Sequence, residues 1–201
     1  DWMFCSLYAD AERLVSINIP SSVTEIGSDV FYRCSNLTEV VFHEGLKTLR
    51  PSFQYCTSLT EITLPYSVED LSMLLFKDCT GLKRFKGKFA TDGGRCLVQD
   101  GILWAYAQGS GSEYTIPDQV KVIGRHAFSG CDNLTSITIN ENVVAIEEDA
   151  FSFSDGLTEI TIPGSVTTLK YMSFAYCSKL ESVTLPETMT SMEKSVFEKC
   201  G

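Results

Sequence analysis

A phenylalanine followed three residues later by a cysteine recurs at Phe31/Cys34, Phe53/Cys56, Phe76/Cys79, Phe128/Cys131, Phe174/Cys177 and Phe197/Cys200, with Phe151/Ser154 as the one departure. The phenylalanines are spaced by 22, 23, 52, 23, 23 and 23 residues. Three residues after each cysteine or Ser154 comes a leucine, Leu37, Leu59, Leu82, Leu134, Leu157 and Leu180, and Leu14 opens an earlier copy in which Tyr8 and Ala11 replace Phe and Cys. A unit of this length cannot enclose its own apolar face, so successive units must stack and bury one another. Roughly eight coils at about 4.8 Å each give a rod of about 35 to 40 Å.

Within each unit the apolar order is Leu-x-x-Ile-x-Ile-Pro, then Val-x-x-Ile, then Ala-Phe-x-x-Cys, as in LTEITIPGSVTTLKYMSFAYC. Alternation at Ile17/Ile19, Ile62/Leu64, Ile137/Ile139, Ile160/Ile162 and Val183/Leu185 suits one strand per coil with one face buried. Pro20, Pro65, Pro117, Pro163 and Pro186 follow that strand and, lacking a donor, end its ladder at the same place each time. The pairs Val23/Ile26, Leu46/Leu49, Val68/Leu71, Val143/Ile146 and Val166/Leu169 then predict a brief extended or 3-10 stretch, followed by a single helical turn that carries Phe and Cys inward.

These motifs resemble the BspA-type leucine-rich repeat family, and the resemblance covers nearly the whole chain. It implies a leucine-rich-repeat right-handed superhelix: a repeat solenoid with one parallel sheet, one short strand per 23-residue coil, short 3-10 or extended segments opposite, and one inserted β-hairpin. It further implies a secreted or surface-attached protein of host-associated microbes, linked to adhesion, with no catalytic residues. The expected organisation is a single domain over 1–201, with repeats in 1–85, a hairpin-containing insertion in 86–113 and repeats in 114–201.

The insertion explains the 52-residue gap, which exceeds two periods by six. Its segments CLVQ and ILWAY flank Asp100-Gly101, a strong signal for a tight hairpin turn. Strand alternation places Leu103, Ala105 and Ala107 on one hairpin face and Trp104 and Tyr106 on the other. Gly109, Gly111 and the serines between them predict a flexible return.

Chemistry is sparse. The repeated cysteines read as small buried core residues, with bridging between coils not needed because Ser154 occupies the same position. Cys5 and Cys96 lie off that ladder and could be free or bonded. Without Cys-x-x-Cys spacing, and with only His43 and His126 as imidazoles, no metal site, cofactor or catalytic group is expected. His43 replaces a strand-ending Pro, and His126 stands where other coils carry Asp29 and Asp149, so both read as surface substitutions.

Charge narrows the partners. With 16 Lys and Arg against 26 Asp and Glu, net −10, nucleic acid is an unsuitable partner. No apolar run is long enough for membrane insertion. Outward strand positions form a polar, Thr-rich face that includes Thr63, Thr115, Thr138, Thr161 and Thr184. One basic cluster interrupts the acidic background: Lys77, Lys83, Arg84, Lys86 and Lys88, with Phe89, Trp104 and Tyr106 nearby. Arg84, Lys86, Lys88, Trp104 and Tyr106 are therefore the candidate partner-binding residues, since Arg, Trp and Tyr are enriched at binding hot spots, with packing of one hairpin face against the neighbouring coils as the alternative. The sequence points to a non-enzymatic extracellular or cell-surface recognition module for a protein or glycan, as a monomer or part of a larger chain. A structural spacer without a ligand of its own is the alternative. The chain starts and stops inside a coil, so further repeats, a signal or an anchor are expected outside this segment.

Overall fold

The computed structural model describes residues 13–201, so Cys5, Tyr8 and Ala11 lie outside the described residues. Strands are numbered along the chain. Eight of them carry the Leu-x-x-Ile-x-Ile motif: β1 (Ser16–Asn18), β3 (Glu39–Val41), β5 (Glu61–Leu64), β6 (Arg84–Gly87), β10 (Glu113–Thr115), β12 (Ser136–Thr138), β14 (Glu159–Thr161) and β16 (Ser182–Thr184). Pairing is parallel and sets each residue against its equivalent in the next coil, as Ile17 against Val40 and Tyr114 against Ile137. The middle residue turns inward and its neighbours turn to solvent, as alternation requires. Where Asn140 stands in place of the strand-ending Pro, its side chain closes the turn. Its Nδ2 donates to the Ile116 carbonyl at 2.7 Å, and its Oδ1 accepts from the Asn142 amide at 2.9 Å.

The segment opposite is extended. Among two-residue strands, β2 (Glu25–Ile26) pairs parallel with β4 (Thr48–Leu49), and β11 (Val122–Ile123), β13 (Ala145–Ile146), β15 (Thr168–Leu169) and β17 (Ser191–Met192) make a second parallel ladder. Extended backbone here lets each coil satisfy the peptide groups of the next, which a lone 3-10 turn would not do.

The helical turn expected around Phe and Cys does not form. The backbone is left-handed two residues before and two residues after the Phe, at Asp29 and Arg33 around Phe31, His126 and Gly130 around Phe128, and Asp149 and Phe153 around Phe151. Left-handed residues interrupt a right-handed helix and free the Phe amide for the neighbouring coil. Phe31 donates to Ser52 at 3.0 Å, Phe151 to Ser173 at 2.8 Å and Phe174 to Val196 at 3.0 Å. Around Phe53 only Tyr55 is left-handed. Pro51 occupies the preceding position and its ring excludes positive φ, in the one corner that is a residue shorter.

Inside, the phenylalanines stack. Ring centroids lie 4.9 Å apart for Phe31–Phe53, 4.9 Å for Phe128–Phe151 and 5.0 Å for Phe151–Phe174. Four ladder thiols reach the carbonyl of the Phe one coil earlier: Cys56 to Phe31 at 3.2 Å, Cys79 to Phe53 at 2.9 Å, Cys177 to Phe151 at 3.1 Å and Cys200 to Phe174 at 3.2 Å. Ser154 makes the same bond to Phe128 at 2.7 Å, so the exception in the repeat keeps its hydrogen bond. Cys79, Cys96, Cys131, Cys177 and Cys200 are free thiols.

The insertion builds β7 (Ala90–Thr91), β8 (Cys96–Gln99) and β9 (Ile102–Tyr106). β8 and β9 pair antiparallel around Asp100 (φ 53°) and Gly101 (φ 77°), as a two-residue hairpin turn demands. β9 then joins the second ladder in parallel, with Ile102 against Val122 and Leu103 against Ile123. The hairpin therefore supplies one rung of the solenoid. Its far edge, Gly109, donates to the Leu82 carbonyl at 2.7 Å, so the return expected to be flexible is pinned to the preceding coil.

Candidate recognition surface

β6 carries Arg84 and Lys86 outward on the strand face, in line with Glu61 and Thr63 of β5. Both basic residues are exposed. Lys86 Nζ lies 2.6 Å from Glu61 Oε1, an exposed pair that contributes at most about 1 kcal/mol and leaves both groups free to exchange partners. Lys88, half-buried, is committed elsewhere: it donates to the Val68 carbonyl and lies 4.8 Å from the Phe89 ring centroid. Lys77 is outside this row and bears electrostatically on Asp78, His126 and Asp149 at the corner.

The hairpin aromatics turn inward. Tyr106 is 2% exposed, with its ring 4.7 Å from Tyr114 and 5.0 Å from Phe128, where it continues the aromatic stack. Trp104 is half-buried and packs against the core formed by the earlier coils, together with Ala105. Strand alternation puts these two aromatics on one face, and it assumes that one face meets solvent. A hairpin inserted between coils has a core on both sides. Leu103 and Tyr106 join the later stack while Leu97, Trp104 and Ala107 join the earlier one.

Two grooves lie on the strand face. One, of about 650 Å³, is lined by Glu39, Val41, Phe42, Thr60, Glu61 and Thr63. The other, of about 290 Å³, is lined by Asp92, Arg95, Glu113, Thr115, Ser136 and Thr138. Its wall is the turn Asp92–Gly94, which lies over β6. A β-carbon on Gly94 would stand 2.3 Å from the Phe85 carbonyl oxygen, so only glycine permits that approach. Arg95 sits 4.5 Å from the Tyr114 ring centroid and donates to the Glu113 carbonyl, and its Nε is buried without a partner. Sequence reasoning passed over Asp92 and Arg95. The Asp-Gly-Gly-Arg run before CLVQ was their only signal.

Titratable groups elsewhere are arranged for structure. Burial pushes the Cys79 and Cys177 thiols up to about 12 and Cys96, which accepts a hydrogen bond from the Tyr114 hydroxyl at 3.0 Å, up to about 11. His43 is exposed and contacts Asn18 Oδ1 at 2.8 Å. His126 is half-buried, not a surface residue, in the left-handed corner position that Asp29 and Asp149 share. Its Nε2 is 3.7 Å from Asp149, yet burial, Lys77 and Arg125 hold its pKa down to about 4, so the contact joins a neutral imidazole to a carboxylate at neutral pH. Among the described residues no three His, Cys, Asp or Glu side chains are grouped to hold a metal. No described helix is long and apolar enough to cross a membrane.

A family model described as the BspA type leucine rich repeat region matches residues 5–90 and 105–201, in six copies. No curated protein sequence matches the chain. Among solved structures, the pneumococcal vaccine antigen PcpA is similar with a TM-score of 0.71 and 21% identity, over 94% of this chain and 57% of that one. A leucine-rich repeat protein from Eubacterium ventriosum gives 0.60 and 22%, over 89% and 62%. A leucine rich cell surface protein from Faecalibacterium prausnitzii gives 0.52 and 23%, over 92% and 70%. At these identities the likeness is one of fold, and the chain spans less than two thirds of the first and second of these three.

Proposed function

The chain belongs to the BspA-type leucine-rich repeat family, and from that premise we propose that it is a non-enzymatic recognition module at the cell surface or outside the cell, whose strand face binds a protein or glycan partner. One observation carries the reading: both grooves lie on this face, and the side chains that line them outwardly, Glu39, Thr63, Thr115 and Thr138, are exposed and carry no core packing. The basic row Arg84–Lys86 lies between the grooves in strand order and breaks the acidic surface of a chain with net charge −10. Such a row selects a partner that presents carboxylates or acidic sugars beside neutral hydroxyls. The surface-protein description of the Faecalibacterium neighbour and the vaccine-antigen description of PcpA support the location.

A panel of glycans and extracellular matrix proteins tests the reading directly on this chain. A partner that binds wild type and loses at least about tenfold in affinity with Arg84→Glu, or with Thr115→Trp in the smaller groove, is the expected result. A partner unaffected by both substitutions overturns the assignment of the face. Failure of every member of the panel to bind favours the spacer reading.

A further inference from the structure

The residue before each ladder cysteine, or before Ser154 in its place, forms an outer series that shares no residue with the strand face: Arg33, Tyr55, Asp78, Gly130, Phe153, Tyr176 and Lys199. All are left-handed in φ. The series opens with the Arg33 guanidinium 5.4 Å from the ring centroids of both Tyr32 and Tyr55. It closes with Phe153 and Tyr176 stacked at 4.5 Å, planes 5° apart, and Lys199 Nζ 5.0 Å from the Tyr176 centroid. Tyr176 covers one face of Phe153. On the other side the next rung is Gly130, which has no side chain, and Phe153 is left 48% exposed.

The Asp78 carboxylate reaches across to the rung that Gly130 leaves without a side chain. Asp78 Oδ1 stands 2.3 Å from the point where a β-carbon of Gly130 would lie, and the Gln108 side-chain amide nitrogen stands 3.8 Å from it. Gln108 is 5% exposed; its Nε2 donates to the Ser129 carbonyl and its Oε1 is buried with no hydrogen-bond partner. Asp132, exposed two residues beyond Gly130, adds a second carboxylate that acts electrostatically on Asp78, more weakly than Lys77 and the hydrogen bond from Tyr55, which favour the Asp78 carboxylate.

We propose that this notch seats the guanidinium of an arginine from an exposed segment of a partner protein. A flat group fits a gap one coil deep, about 4.8 Å, where an ammonium on a flexible stem gains less from the ring. The guanidinium stacks on the open face of Phe153 and donates to the Asp78 carboxylate. The chain already sets its own cations over rings at Arg33, Arg95 and Lys199, and its net charge of −10 draws basic segments toward it.

Titration of the ¹⁵N-labelled chain with N-acetyl-arginine methylamide, followed by amide shifts, tests the seat. The expected result is saturable shifts at Gly130, Phe153 and the Gln108 side-chain amide, with weaker binding of the lysine analogue. Phe153→Leu, which keeps apolar bulk and removes the ring face, and Asp78→Asn should each weaken binding at least about tenfold. Asp118→Asn, an exposed acid elsewhere, and Arg84→Glu should leave it unchanged, which separates this seat from the strand face. Shifts spread over the acidic surface, absence of binding, or equal affinity in Phe153→Leu with an unchanged melting temperature would overturn the proposal. If Asp78→Asn fails to fold, the Phe153→Leu comparison decides alone.

Discussion

The thiol of Cys177 lies 3.1 Å from the carbonyl oxygen of Phe151, 26 residues earlier in sequence and one coil away in space. The bond ties the two signature residues of the repeat to each other across coils, so Phe-x-x-Cys is one device in which the ring fills the core and the thiol satisfies the backbone behind it. Ser154, with its hydroxyl 2.7 Å from the Phe128 carbonyl, shows what the position demands: a small side chain with a donor.

Cys177→Ser should therefore keep the fold within about 1 kcal/mol, because the donor survives. Ser154→Val should cost about 1 to 3 kcal/mol, because it leaves a buried carbonyl unpaired at similar volume. Urea melts of the two variants check the contrast, and equal losses would show that volume alone matters there.

Phe151 and Phe153 are two residues apart and differ entirely in duty, at 0% and 48% exposure. Phe151→Ala should lose about 3 to 5 kcal/mol, the usual cost of a large core truncation. Phe153→Ala should stay within about 1 kcal/mol. Chemical denaturation of both variants reads the difference.

Thiol reactivity should follow burial. The thiolate is the reactive form, and with Cys79 and Cys177 pushed up to about 12 it is scarce at neutral pH. Thiol counting on native protein should label Cys200, the partly exposed member, ahead of the ladder, and full labelling should need denaturant. Loss of thiols to disulfides in the native protein, detected by mass, would contradict this.

Acid should weaken the fold partly through His126. Its pKa falls from 6.5 to about 4 on folding, so between those values the unfolded chain holds a proton that the folded chain does not. Stability then rises with pH across that window and is flat above it, with a contribution on the order of 3 kcal/mol. His126→Asn, which tolerates the left-handed backbone (φ 57°), should flatten this part of the stability profile, measured by melts from pH 4 to 7. An unchanged slope would assign the acid sensitivity to other groups, among them Glu44, whose pKa is lowered by hydrogen bonds from the Tyr66 and Ser67 amides.

The repeat, the inward face of each strand and the hairpin turn at Asp100-Gly101 were legible in the sequence because each rests on local chemistry: side-chain alternation, the missing donor of proline, the backbone freedom of Asp-Gly. The left-handed corners were not. At those positions Tyr55, Phe153, Met172 and Tyr176 are residue types that ordinarily avoid positive φ, and inter-coil hydrogen bonds hold them there. Of the candidate partner residues, Arg84 and Lys86 fall on the strand face because strand register is a period-two property. For Trp104 and Tyr106 the sequence left packing and binding both open, because alternation cannot reveal that a hairpin is enclosed on both sides. Arg95 and Gln108 escaped notice because each acquires its place from residues of other coils.

The hairpin forms a rung of the solenoid, with β9 paired to β11, and this rung leaves the strand face as the proposed partner surface. Tyr106→Ala, followed by urea denaturation with far-UV circular dichroism, tests it most directly. A loss of about 3 to 5 kcal/mol, similar to that of Phe151→Ala, is the predicted result, because Tyr106 is buried in the same core with its ring centroid 5.0 Å from that of Phe128. A loss under about 1 kcal/mol would show the hairpin to be a peripheral arm and contradict the account.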